Sequence, residues 1–147
     1  MSDLPILAEP REGVPPVVNT PDSLTHTCRA LSNGHGPIAI DTERAHGFRY
    51  SPRACLIQLR RDGSGTHLVD PLALGGAVGL KPLAKALAGT QWILHAATQD
   101  MPCLAMDGLR PDDLFDTELA GRLLNLPRVS LGPVSYTHLT LPTNREV

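Results

Sequence analysis

Aromatic residues are scarce in this 147-residue chain: one Trp, two Tyr and two Phe, 3% of the total. That excludes a nucleic-acid platform built from many exposed stacking rings. Cysteine is scarce too, and Cys28, Cys55 and Cys103 form no C-x-x-C pair. An odd, scattered set excludes a disulfide scaffold and a zinc knuckle, and points to reduced thiols in a cytoplasm. No apolar run approaches the roughly 18–20 residues that cross a bilayer, so no membrane association is expected. Residues 1–16 have neither a basic n-region nor an apolar h-region, so no secretory signal is expected. Positive charge is not in excess: 13 Lys and Arg face 15 Asp and Glu, for a formal charge of −2. This argues against affinity for nucleic acid resting on bulk charge and leaves a local basic patch open. Phosphate loops are missing as well, because Gly34-His35-Gly36 and Gly63-Ser64-Gly65 lack the remaining glycine and no G-x-x-x-x-G-K-[ST] occurs. No G-x-S-x-G elbow occurs, and Pro102-Cys103 stands without the rest of a deaminase zinc signature.

What is present is a hydrophobic content of 41% over a length that suits one domain. Pro5, Pro10, Pro15 and Pro16 with interspersed charges make residues 1–16 a disordered leader, with order expected from Val17. Thr20-Pro21 reads as an N-cap followed by proline at the first helical position. Leu24, Cys28 and Leu31 follow at helical spacing and Asn33-Gly34 stops the helix. Residues 37–43, 53–60 and 66–70 read as strands joined by turns, the last two through Asp62-Gly63-Ser64-Gly65, and suggest an antiparallel meander. The period then changes. Leu80, Leu83, Ala84 and Leu87 make a helix, residues 91–95 a strand, residues 98–106 a helix with Pro102 near its first turn, Leu114-Phe115 a brief strand, and Asp116 caps a last helix. The expected class is α/β, a mixed sheet flanked by helices.

One short motif carries chemistry. In Asp41-Thr42-Glu43 the two acids are two residues apart, so on a strand both carboxylates project from one face at its end. Two carboxylates closing an apolar run suit a hard divalent cation such as Mg²⁺ or Mn²⁺, or else mark a solvated strand end. Asp100, just beyond the strand Trp92-Ile93-Leu94-His95, either supports its helix N-terminus or, if the two strands are neighbours, approaches Asp41 and Glu43.

The stretches IAIDTERAHGFRYSPRACLIQLRRDGSGTHLVDPLAL and WILHAATQDMPCLAMDGLRPDDLFDTELAGRLLN resemble ribonuclease D and its relatives among the DEDD-type 3′–5′ exonucleases. The blocks that carry the likeness are Asp41-Thr42-Glu43, Tyr50-Ser51-Pro52 through Leu59, His67 to Pro71, His95 to Asp100, and Phe115-Asp116-Thr117, within residues 17–132. The resemblance implies a ribonuclease H-like fold. It implies Asp41, Glu43 and Asp100 as catalytic ligands of two divalent ions, Mg²⁺ or Mn²⁺. Thr42 and His95 would line the pocket of the terminal nucleotide. The implied partners are single-stranded RNA 3′ ends, tRNA precursors and other structured RNA among them, and the implied products are nucleoside monophosphates.

The sequence departs from the family in one respect. A third motif, Tyr-x-x-x-Asp, should follow Phe115-Asp116-Thr117, yet Tyr136 is followed at the fourth position by Thr140 and the only later acids are Glu118 and Glu146. Residues 133–147 (PVSYTHLTLPTNREV) match neither the family nor any periodicity, and resemble the translation of a sequencing adapter or linker. The expectation is therefore an exonuclease domain over residues 17–132, cut before its last motif and inactive as it stands. An exonuclease-like module that binds nucleic acid without turnover is the alternative. A metal-dependent glycosyltransferase using Asp41 and Glu43 explains neither Asp100 nor the flanking blocks.

Overall fold

The structure, a computed structural model, describes residues 12–44 and 53–130. Most of the expected leader, the Tyr50-Ser51-Pro52 block and the segment from residue 131 lie outside the described residues. Contacts reach back beyond Val17, because the Glu12 carboxylate meets Arg60 and Thr66.

After a two-residue strand β1 (Val17–Val18), helix α1 (Pro21–Asn33) starts where its cap predicts. The Thr20 hydroxyl accepts from the Ser23 N–H at 3.2 Å and the Ser23 hydroxyl accepts from the Thr20 N–H at 3.1 Å. Two donors that the helix cannot satisfy are thus paired, an arrangement that contributes about 1 kcal/mol. The buried stripe is Leu24, Thr27 and Leu31, with Cys28 only half-buried beside it. The C-cap, Gly34, must be glycine for a steric reason. A Cβ there would lie 2.8 Å from Arg61 Cδ and 2.9 Å from the Asp62 carbonyl oxygen.

Three strands follow as the antiparallel meander: β2 (His35–Arg44), β3 (Ala54–Asp62) and β4 (Gly65–Val69). The β3–β4 turn needs its glycines, since Gly63 and Gly65 have φ of +77° and +80°. Next come α2 (Gly76–Gly79), α3 (Lys81–Leu87), β5 (Gln91–Leu94), α4 (Met101–Met106), β6 (Asp113–Asp116) and α5 (Thr117–Leu123). The strands form one sheet in the order β1-β4-β3-β2-β5-β6, with β5 parallel to both β2 and β6. This is the expected mixed sheet. Three details differ from expectation: β1 and α2 are additional, and α4 begins at Met101 rather than near residue 98. Proline has no N–H to donate, so a helix that starts at Met101 keeps Pro102 inside its first turn without losing a bond.

The core is set between the sheet and helices α1, α3 and α4, and includes Leu31, Ile38, Ile57, Trp92, Leu94 and Leu104, each at most 2% exposed. Each such side chain contributes roughly 1.5–3 kcal/mol on burial. The β6–α5 edge contrasts with this, since Phe115, Leu119, Leu123 and Leu124 are all exposed. Among the described residues no helix is long and apolar enough to cross a membrane.

Candidate functional site

Alternation along β2 separates its two faces. Ile38, Ile40 and Thr42 are buried on one, while Asp41 and Glu43 are exposed on the other, so the two carboxylates do share a face. Register adds a residue that the sequence did not single out. Gln58 of β3 stands directly opposite Asp41, and its amide donates to Glu43 Oε1 at 3.4 Å. Partners across an antiparallel pair share a face, so knowledge of the register would have found Gln58.

Strand β5 lies parallel and adjacent to β2, which brings the C-terminal ends of both to one edge, where sites in such sheets collect. The turn from His95 to Asp100 leaves from that edge. Asp100 is buried, and the Thr42 hydroxyl donates to its Oδ1 at 2.5 Å. The Cys103 thiol donates to the Asp100 carbonyl at 2.9 Å and lies 3.4 Å from the Thr42 oxygen. Thr42 therefore faces away from Asp41 and Glu43, and its hydroxyl is occupied by Asp100.

Packing around the Asp41 carboxyl raises it above the usual carboxylate range, and the charges of Asp100 and Glu43 raise it further. The Thr42 N–H and the nearby His95 offset part of this. Because Asp41 is exposed as a residue, the neighbouring charges are the firmer cause. Asp100, Glu43 and His95 all stand within electrostatic reach of Asp41. A divalent cation would turn that repulsion into attraction, and the carboxylates are the hard oxygen donors it prefers. Among the described residues no three acidic, His or Cys side chains converge closely enough to hold a metal ion, so the donors fit a cation in kind alone.

His95 and the adjoining turn are tied to the start of α5. The His95 Nδ1 is 2.9 Å from the Thr117 hydroxyl, which also lies 3.3 Å from the Leu94 carbonyl. The Thr117 hydroxyl thus ties the His95 ring to the end of β5. Asp116 is the N-cap of α5, as its position before the helix predicts. Its Oδ1 accepts from Glu118 at 2.8 Å and from Leu119 at 3.3 Å. The same carboxylate reaches across to the turn, accepting from Ala96 at 3.1 Å through Oδ1 and from Ala97 at 2.9 Å through Oδ2. Desolvation pushes this carboxyl up, but the N–H groups of Ala97, Glu118, Leu119 and Ala96 outweigh it and hold the group below its ordinary value.

Comparison with known proteins adds the family context. The sequence matches a 3′–5′ exonuclease family model over residues 15–143, a span that begins before Val17 and runs past Gly132. Ribonuclease D of Zymomonas mobilis is 36% identical over 115 residues, which make up 76% of this chain and 28% of that protein. A protein of Bifidobacterium adolescentis with a known crystal structure is 43% identical, with a TM-score of 0.87 over 96% of this chain and 34% of its own. The RNase D of Escherichia coli, an exoribonuclease involved in structured RNA processing, is 27% identical, with a TM-score of 0.68 over 88% of this chain and 34% of its own. The chain thus spans about a third or less of the length of these relatives.

Proposed function

The chain belongs to the 3′–5′ exonuclease family, with a ribonuclease H-like fold, and from that premise we propose that it carries the metal-binding part of a ribonuclease D-like exoribonuclease. The substrate is the 3′ end of single-stranded RNA, including tRNA precursors and other structured RNA, and the products are nucleoside monophosphates. The observation that supports this reading is that β2, carrying Asp41 and Glu43, and β5, leading into Asp100, end at one sheet edge, with Asp100 and Glu43 within electrostatic reach of Asp41. These acids would hold two divalent ions, Mg²⁺ or Mn²⁺, which supply Lewis-acid stabilisation and an activated water when bound. Asp41 and Glu43, on the accessible face, are the groups a terminal phosphodiester can approach. His95, tied to Thr117 through Nδ1, would line the pocket of the terminal nucleotide, while Thr42 acts on the site through its bond to Asp100. Three free cysteines suit a cytoplasmic setting.

In the intact gene product, Asp41→Ala should abolish metal-dependent release of mononucleotides from a 3′-labelled single-stranded RNA. Full trimming by that variant would sink the proposal. The 147-residue chain itself, which has no Tyr-x-x-x-Asp, should leave the RNA uncut under the same conditions. If the intact product carries no such motif and binds RNA without shortening it, the function is that of an exonuclease-like binding module.

A further inference from the structure

We propose that Asp116 and Thr117 are positioning residues for Asp100: together they clamp the turn from His95 to Asp100 that sets this carboxylate at the shared end of β2 and β5. The inference rests on the reading of Asp100 as a cation ligand. A helix cap needs only the N–H groups of its own helix, and Asp116 has those in Glu118 and Leu119. Its remaining bonds, from Ala96 and Ala97, cross to a turn 20 and 19 residues earlier in the chain and serve no purpose for α5.

The turn has reason to need holding. Ala96 has φ of +54°, a left-handed conformation that a residue with a Cβ adopts only where its surroundings impose it. The grip is then relayed to Asp100 through the main chain. The Ala96 carbonyl accepts from Gln99 at 2.9 Å, and the Ala97 carbonyl accepts from Asp100 at 3.1 Å and from Met101 at 2.9 Å. Pinning the two alanine N–H groups therefore orients the carbonyls that lead into α4, whose N-cap is Asp100. Thr117 fastens the other end of the turn, where its hydroxyl meets both His95 Nδ1 and the Leu94 carbonyl. On the far side Thr42 completes the support by donating to Asp100 Oδ1. Groups that orient a ligand in this way are the usual means of tuning a metal site from behind.

The two carboxylate oxygens allow the clamp to be separated from the cap. Ala97 is bound by Oδ2 alone, whereas Ala96, Glu118 and Leu119 share Oδ1. Asp116→Asn keeps an oxygen for those three and sets an NH₂ against the Ala97 N–H, two donors facing each other. Asparagine is also as good an N-cap as aspartate, so α5 should persist.

The test is a Mn²⁺ titration of the 147-residue chain by calorimetry, paired with amide hydrogen exchange. Asp116→Asn should bind Mn²⁺ about 10-fold more weakly, in line with other changes behind a metal ligand. The Ala97 and Asp100 amides should exchange faster while those of Glu118 and Leu119 stay protected. Thr117→Val should show a smaller loss, and Thr117→Ser should restore wild-type behaviour. Unchanged affinity together with unchanged Ala97 protection in Asp116→Asn overturns the proposal. If that variant does not fold, Thr117→Val decides by the same readouts. Asp100→Asn separates the two readings. If it leaves Mn²⁺ binding as in wild type, or wild type binds none, the cation reading fails and the exchange pattern alone decides the clamp.

Discussion

Asp41 and Asp116 stand at the ends of β2 and β6, the two strands that flank β5, yet their carboxyls are pushed in opposite directions. Asp41 meets packing, Asp100 and Glu43, and is raised. Asp116 meets four backbone N–H groups and is lowered in spite of its desolvation. The same side chain at equivalent places in one sheet is thus poised in one case and satisfied in the other. What differs is the supply of donors: the backbone after β6 turns directly into a helix whose N–H groups point back, whereas the end of β2 faces other acids.

That contrast can be broken most forcefully at the satisfied end. Asp116→Ala removes a cap and two charge-assisted bonds to the neighbouring turn, and should lower stability by about 2–3 kcal/mol in denaturant melts at neutral pH. Acid should reveal the same asymmetry. Asp116 has a lowered folded value, so its contribution is complete above the ordinary carboxylate range and is lost as pH falls through that lowered value. The gap between wild type and Asp116→Ala should therefore close on acidification; a constant gap would show that the carboxylate charge is not what the N–H groups hold.

At the poised end the sign reverses. Asp41 has a raised folded value, so its contribution is present below the ordinary value and lost as pH rises through the raised one. Asp41→Asn should consequently melt higher than wild type at neutral pH without added metal, by roughly 0.2–1 kcal/mol. The advantage should vanish as pH falls below the ordinary carboxylate range, where the group is protonated in the folded and the unfolded chain alike. Adding Mn²⁺ should also erase it, because a ligand held by the native site stabilises wild type alone. The smallest effect is expected away from both aspartates. Leu123 is 85% exposed, and Leu123→Glu should change stability by no more than about 0.5 kcal/mol.

Much of this was legible in the sequence alone. The Thr20-Pro21 cap, the alternation through Asp41-Thr42-Glu43 and the glycines of the β3–β4 turn are local signals, and each produced its element. The parallel contact of β1 with β4 and the short α2 were not legible, since two to four residues carry no period. Gln58 was missed because its place beside Glu43 depends on strand register rather than on composition.

By itself, then, the sequence determined the order of the elements and that Asp41 and Glu43 share a face, because backbone geometry imposes a period of two on any strand. It also carried the family likeness, residue by residue. Only the tertiary structure decided that β2 and β5 are neighbours, that the Thr42 hydroxyl is committed to Asp100, and that Asp116 grips a turn 19 to 20 residues before it. Those are contacts between segments distant in the chain, and they exist only once burial of the common core has brought the strand ends to one edge.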